Sequence, residues 1–293
     1  MKSPRFMRWK TRCGKSCSRT RTAPRPPPPR RGGPMADRWR GSLAAAWPPA
    51  LTLAALVLLL EGAVALGWTP ITIPAPSAVA AEFWASGADL RYHLHPSILT
   101  TVAGLSISAA LAALLAGIGA AWRGATGPVM TFGVLVDSTP LIAVAPILIV
   151  FVGSGPVLHI IVSATACFFP LLVGMSRGFR AVERTRDELF HVLAASRWQR
   201  LTKLALPSAL PFVFSAFKIA APLAVLGTLI AEWMGAERGV GIMMIYAMFS
   251  FDAPQVWMTI LAVCAMAIGG YGLFAALERT WLSWSGAEPE PVT

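Results

Sequence analysis

The chain has 293 residues, of which 55% are hydrophobic and 13% are charged. Soluble domains carry about 25% charged residues, so this composition excludes a soluble globular protein and predicts an integral membrane protein. The net charge of +11 misleads as a global figure, because residues 1–41 hold 13 Lys and Arg against one acid, Asp37, while residues 42–293 hold 12 against 13.

The basic stretch 1–41 contains PRPPPPRRGGP, which can neither run as a helix nor pack a core, and it is expected to be a disordered cytoplasmic arm. A nucleic-acid-binding arm is the other reading. No folded soluble domain accompanies it, so no nucleic-acid partner is expected. Gly14-Lys15-Ser16 ends like a phosphate-binding loop, but the glycine needed five residues before Gly14 is replaced by Trp9 and no strand precedes it. The four cysteines, Cys13, Cys17, Cys167 and Cys264, suggest neither a disulfide framework nor a metal site.

The first span is expected at about 43–67. It is longer than the apolar core of a signal peptide, and Glu61 within it should sit near the outer end or face a partner. Residues 68–96 are expected to be an extracytoplasmic loop. A short interfacial helix in it begins near Ser77, the expected N-cap, and His93 and His95 lie in solvated loop. The second span, about 97–121, is rich in small residues, with Gly117 and Ala121 at close-packing spacing. The third, about 128–152, contains Asp137, Pro140 and Pro146; the fourth, about 156–176, contains Pro170. Prolines inside spans are tolerated where other helices or a cavity satisfy the freed carbonyls. An acid inside a span is a functional candidate, and Asp137 fits either that role or, preferably, a place near the cytoplasmic headgroups. A polar segment follows at 177–210. The fifth span, about 211–234, ends at Glu232. Residues 235–254 are expected as a glycine-containing loop, 255–277 as the sixth span and 285–293 as a disordered tail. The membrane body is therefore 42–284, all-α with about six transmembrane helices.

Orientation follows from Lys and Arg beside the spans. One side collects the arm, Arg123, Arg177, Arg180, Arg184, Arg186, Arg197, Arg200, Lys203 and Arg279; the other has only Arg91 and Arg238. Both termini and the segment 177–210 are thus expected in the cytoplasm. Within that segment Asp187 and Glu188 open a helix at the favourable end of its dipole. Leu189, Val192 and Leu193 share a face, with Phe190 and Ala194 beside it. Ser196 offers a break or a new cap. Trp198–Leu206 reads as a second short helix, and Pro207 and Pro211 set the entry to span five. Such a helix can lie on the headgroups or dock to a partner, and the residues alone leave both open.

The segment resembles the coupling loop of bacterial ABC-importer permeases, in which an acid and two alanines precede a glycine and a Leu-Pro follows at fixed distance. Glu188 takes the acid position, Ala194 the glycine position, and Leu206-Pro207 the Leu-Pro position. PSAVAAEFW (76–84), TPLIAVAPILIVFVGSG (139–155), FFPLLVGMSRGFRAV (168–182), AEWMGAERGVG (231–241) and Pro211 resemble the sulfonate/nitrate/taurine-type branch of that family. Leu189, Phe190 and Ala194 depart from the family's small residues.

The resemblance implies a type I importer permease fold whose coupling helix docks on a cytoplasmic ATPase through Asp187, Glu188, Leu189, Phe190, Val192, Leu193, Ala194, Ala195, Ser196 and Pro207. It implies cytoplasmic ABC ATPase partners, an extracytoplasmic solute-binding protein, a second permease copy as a homodimer, surrounding membrane lipids and a place in the bacterial inner membrane. ATP would bind to the partner, so no cofactor, metal or catalytic residue is expected in this chain. Asp137, Pro140, Pro146 and Glu232 are the pathway or gating candidates. Small organic anions such as alkanesulfonates, taurine or nitrate, and vitamin precursors, are the candidate solutes. A secondary transporter or channel is the alternative; it would favour repeated, interrupted spans in two halves, and no such symmetry is visible.

Overall fold

The computed structural model describes residues 35–70, 72–122, 124–182, 188, 190 and 192–282. Among them there is no strand. Helix α1 covers Met35–Ala65, and the chain divides within it into one compact unit to residue 56 and another from residue 57 onward. The first unit, as far as it is described, is the N-terminal part of α1. The second holds α2 (Pro76–Ala85), α3 (Gly87–Ala121), α4 (Thr126–Asp137), α5 (Leu141–Val152), α6 (Pro156–Arg180), the short α7 (Arg197–Arg200) with a wider π turn at Leu201–Ala205, α8 (Leu206–Trp233), α9 (Val240–Phe249) and α10 (Ala253–Trp281).

Three long helices, α3, α6 and α8, form the centre. Their shared core is Ala112, Ala116, Cys167, Phe168, Leu171, Leu172, Met175, Ala216, Ala220 and Ala224. Half of these are alanines because lipid supplies no hydrophobic drive between helices, so close backbone approach must supply the contact. Gly174 and Gly227 carry that approach. A β-carbon at 174 would strike the side chain of Ala216, and one at 227 would lie 2.7 Å from the Ala166 methyl and 2.9 Å from the Ser163 Cα. Gly117, the expected close-packing residue, would meet nothing within 4 Å. Spacing alone does not say which small residue faces a neighbour.

Among the described residues, four helices are long and apolar enough to cross a membrane: α3, α6, the run Trp198–Trp233, and α10. Leu51–Ala65 is a shorter apolar helix. Several boundaries differ from expectation. The arm was drawn to residue 41, but residues 35–41 are helical; no proline lies between Pro34 and Pro48 to stop the helix. Residues 1–34 and 283–293 lie outside the described residues. Span three is not one helix but the pair α4 and α5, bent by 90°. Pro140 lacks an N–H, and the residue before a proline is pushed out of helical geometry, so the break falls at Ser138–Pro140. The second span begins ten residues early, at Gly87, placing His93 and His95 in helix rather than loop. The expected loop 235–254 contains α9.

The expected second short helix, Trp198–Leu206, is not separated from span five by its prolines. Helix runs on from Arg197 through the π turn into α8. Pro207 offers no N–H to the carbonyl of Lys203, and one widened turn absorbs the mismatch. Ser77 does not cap α2, whose N-cap is Ala75. Its hydroxyl and N–H instead donate to the Glu61 carboxylate at 2.6 and 3.1 Å, which gives that acid its partner. At the start of α10, Asp252 accepts from the Gln255 N–H at 3.1 Å as an N-cap.

Candidate functional site

The chain presents two unusual regions at opposite ends of α8. At its N-terminal end lies the loop that contains the coupling candidates. Asp187 and Leu189 fall outside the described residues; Glu188, Phe190 and Val192 are helical. The helix closes in a Schellman-type turn, in which the N–H of Ala195 donates to the Phe190 carbonyl at 3.0 Å and Ala194 takes a positive φ of 51°. Glycine adopts this conformation freely, whereas a β-carbon there costs roughly 1–2 kcal/mol. The alanine at the position of the family's glycine therefore sits in a conformation that favours glycine.

The next helix starts with a reciprocal capping box. Gln199 N–H donates to Ser196 Oγ at 3.2 Å, and Ser196 N–H donates to Gln199 Oε1 at 2.9 Å. The backbone of the turn is thus satisfied locally. Its side chains are not covered: Val192 is 83% exposed, Leu193 67% and Trp198 71%. Phe190, Ala195 and Pro207 are half-buried. Ser196 belongs with the turn's own architecture as its N-cap.

At the other end of α8, Glu232 is 1% exposed and joins three helices. Its Oε1 accepts from Ser97 Oγ of α3 at 2.6 Å, and its Oε2 accepts from the Gly241 N–H of α9 at 2.7 Å. The Val240 N–H donates to Ser97 Oγ at 2.9 Å, and the Gly239 N–H to His93 Nδ1 at 3.2 Å. The first turn of a helix leaves such N–H groups without intrahelical partners, and here side chains of α3 and α8 meet three of them. A carboxylate at that end also suits the helix dipole. Gly239 and Gly241 make room for it: a β-carbon at 239 would overlap the Glu232 carboxylate, and one at 241 would lie 2.9 Å from the Glu232 Cβ.

One turn deeper, the Thr101 and Thr228 hydroxyls bond at 2.9 Å, and Ser163 donates to the Ala224 carbonyl at 2.9 Å. Beside this network lies a cavity of about 440 Å³ lined by, among others, Thr100, His159 and Glu232. Asp137, Pro140 and Pro146 do not line it. Asp137 and Pro140 stand exposed at the α4–α5 break, and Pro146 is exposed six residues further on. Of the four pathway candidates, only Glu232 is brought into a built polar site.

Ser97, Thr101, Thr228, His93, Gly239 and Gly241 are absent from the sequence-derived candidates. Their signal is a pair of matched steps, Ser97–Thr101 on α3 and Thr228–Glu232 on α8. Each places two polar groups four apart on one face of an apolar helix. Lys218 is absent too, though a base inside an apolar run is itself a signal. It pairs with Glu278 of α10 at 2.6 Å, beside the stacked rings of Phe217 and Phe274, 4.7 Å apart. No group of three or more potential metal ligands occurs among the described residues.

A family model described as a binding-protein-dependent transport system inner membrane component matches residues 109–282. The chain is 28% identical over 237 residues to the formylaminopyrimidine transport permease protein of Halalkalibacterium halodurans, an alignment covering 80% of this chain and 95% of that one. It is 26% identical over 250 residues to the riboflavin transport system permease protein of Chloroflexus aurantiacus, covering 82% and 92%. It is 28% identical over 243 residues to a putative aliphatic sulfonates transport permease protein of Bacillus subtilis, covering 81% and 88%.

Proposed function

The chain belongs to the family of binding-protein-dependent transport system inner membrane components, and we propose that it works as one of two identical copies between ATPase subunits and a solute-binding protein. It is the transmembrane permease subunit of an ATP-driven importer of a small solute. In this reading it carries no catalytic residue and no cofactor of its own; separate cytoplasmic subunits bind and hydrolyse ATP. It lies in the bacterial inner membrane with both termini and the loop around Ala194 in the cytoplasm, and Glu232 near the outer side. The bias of Lys and Arg toward the loop side supports this orientation.

The single observation that carries the coupling role is the turn at Phe190–Gln199. A backbone satisfied by its own caps holds Val192, Leu193 and Trp198 uncovered, which is how an apolar face awaits a partner's groove. Closure of the ATPase pair on ATP would move this turn. The movement would pass along the unbroken helix 197–233 to the Glu232 end. A ligand can shift such an equilibrium only by its differential affinity for the two states, and ATP and the loaded binding protein supply that difference. Asp187, Glu188 and Leu189 are assigned to the same docking surface, and Asp137 and the two prolines of the α4–α5 pair to the pathway wall. The solute belongs to the range named by the relatives, from vitamins and their precursors to aliphatic sulfonates. The test is co-purification. Leu193→Glu should release the ATPase subunits and stop uptake while the permease still reaches the membrane; retention of both would overturn the coupling assignment.

A further inference from the structure

Lys218 and Glu278 are charged groups set inside apolar spans, 2.6 Å apart, with side chains 20% and 25% exposed. An ionisable residue within a span is a functional candidate by default, and neither of these belongs to the coupling turn or to the Glu232 joint. The pair ties the last turn of α10 to the middle of α8. That helix continues without a break from the coupling turn at Arg197. The buried residues within α10 are Met258, Thr259 and Ala262, all toward its other end. Further along, α10 meets α8 at Gly270, where a β-carbon would lie 3.2 Å from the Ala221 methyl, and through the stacked rings of Phe217 and Phe274. A cavity of about 620 Å³ lies between α3, α8 and α10, lined by Val102, Leu105 and Leu273 among others. It leaves α10 room to shift on that side.

Apolar contacts are non-directional, and between spans lipid can replace them at little cost. They hold α10 near α8 without fixing its register. An ion pair does fix it, because a slipped register leaves two charges unpartnered where few waters reach them. Stability alone does not call for such a pair: two well-packed apolar side chains of similar volume can hold a buried site as well or better. We propose that Lys218 and Glu278 are positioning residues for transport. Their pairing makes the C-terminal half of α10 move with α8 when ATP binding displaces the coupling turn. The proposal rests on the permease reading and extends the coupling path from α8 to a second span.

The experiment is double electron–electron resonance on the assembled transporter in lipid nanodiscs, with full-length permease, ATPase subunits and binding protein. One spin label per permease copy gives one distance between the copies. The labels sit on Lys203→Cys, in the π turn that leads into α8, or on Thr280→Cys, at the end of α10; both positions are exposed. The native cysteines are replaced in each chain. Trapping the wild type with ADP and vanadate should shift both distances. Lys218→Met combined with Glu278→Met leaves no charge stranded. It should keep the shift at 203 and at least halve the shift at 280, with thermal unfolding of the permease unchanged or raised. Lys218→Glu combined with Glu278→Lys rebuilds the pair in reverse and should restore the 280 shift. An undiminished 280 shift in the methionine variant overturns the proposal. So does a wild type that shifts at 203 but not at 280, or a methionine variant that loses both shifts together with thermal stability, since the pair would then only hold the fold together. A wild type with no shift at 203 overturns the coupling reading itself, and this proposal with it.

Discussion

The two ends of α8 solve opposite problems. At the Glu232 end, polar groups are buried and are answered within the chain: a carboxylate, a serine and a histidine from two helices meet three N–H groups of a third. At the Ala194 end, the backbone is answered within the turn, while the apolar side chains of Val192, Leu193 and Trp198 stand uncovered. A buried polar group without a partner costs free energy at once. An exposed apolar side chain costs much less and can wait for a second protein. The first end therefore reads as a joint between helices, and the second as the uncovered surface that the proposed coupling role requires.

Substitutions can break that contrast in order of expected size. Leu193→Glu should cut uptake more than tenfold. It should also leave thermal unfolding of the isolated permease within about 0.5 kcal/mol of the original, as at an ordinary surface site; a large loss of fold stability would mean that Leu193 is covered by its own chain. Glu232→Ala should do the reverse at the other end. It strands the Gly241 N–H, worth about 1–3 kcal/mol when buried without a partner, and leaves the Ser97 hydroxyl only the His93 carbonyl at 3.2 Å, and the loss should appear in unfolding of the permease without any ATPase present. Gly239→Ala tests the same joint by crowding. Its β-carbon would overlap the Glu232 carboxylate, and a destabilisation of about 1–3 kcal/mol is expected; a neutral result would show that α9 can draw back cheaply. The smallest effect is Ala194→Gly, which relieves the positive φ of 51°. Part of the roughly 1–2 kcal/mol relief is offset by the extra freedom of glycine in the unfolded chain. Slower amide exchange at Ala195 would register the gain.

How legible was this in the sequence? The membrane class follows from the shortage of charge, because a long apolar run has few other stable environments. The loop was legible for a similar reason: a charged insert between apolar runs stands out, and the spacing of Glu188, Ala194 and Pro207 carries the family pattern. The Glu232 site was half legible. The acid was visible inside its run, but its partners, Ser97 and Gly241, lie 135 and nine positions away. Serines and glycines are common in membrane helices for packing alone. The α9 helix was read as loop because its three flanking glycines look like turn residues. They serve instead as the bend at Gly235 and the clearance at Gly239 and Gly241.

What the sequence determines by itself is local. Apolar length places the spans, proline places the break at Pro140 and the widened turn before Pro207, and Ser196 with Gln199 places a helix start. These are effects of one residue on its own backbone or on neighbours within a turn. Which small residues touch, which acid is buried and which apolar face stays uncovered are decided only when α3, α6 and α8 meet. Gly117 and Gly174 look alike in sequence, and only the second has an alanine against it. Asp137 and Glu232 are both acids within apolar stretches; one ends exposed at a bend, and the other closes a joint between three helices. The free energy of a buried polar group depends on partners that the chain brings from elsewhere, and spacing along one helix does not contain that information.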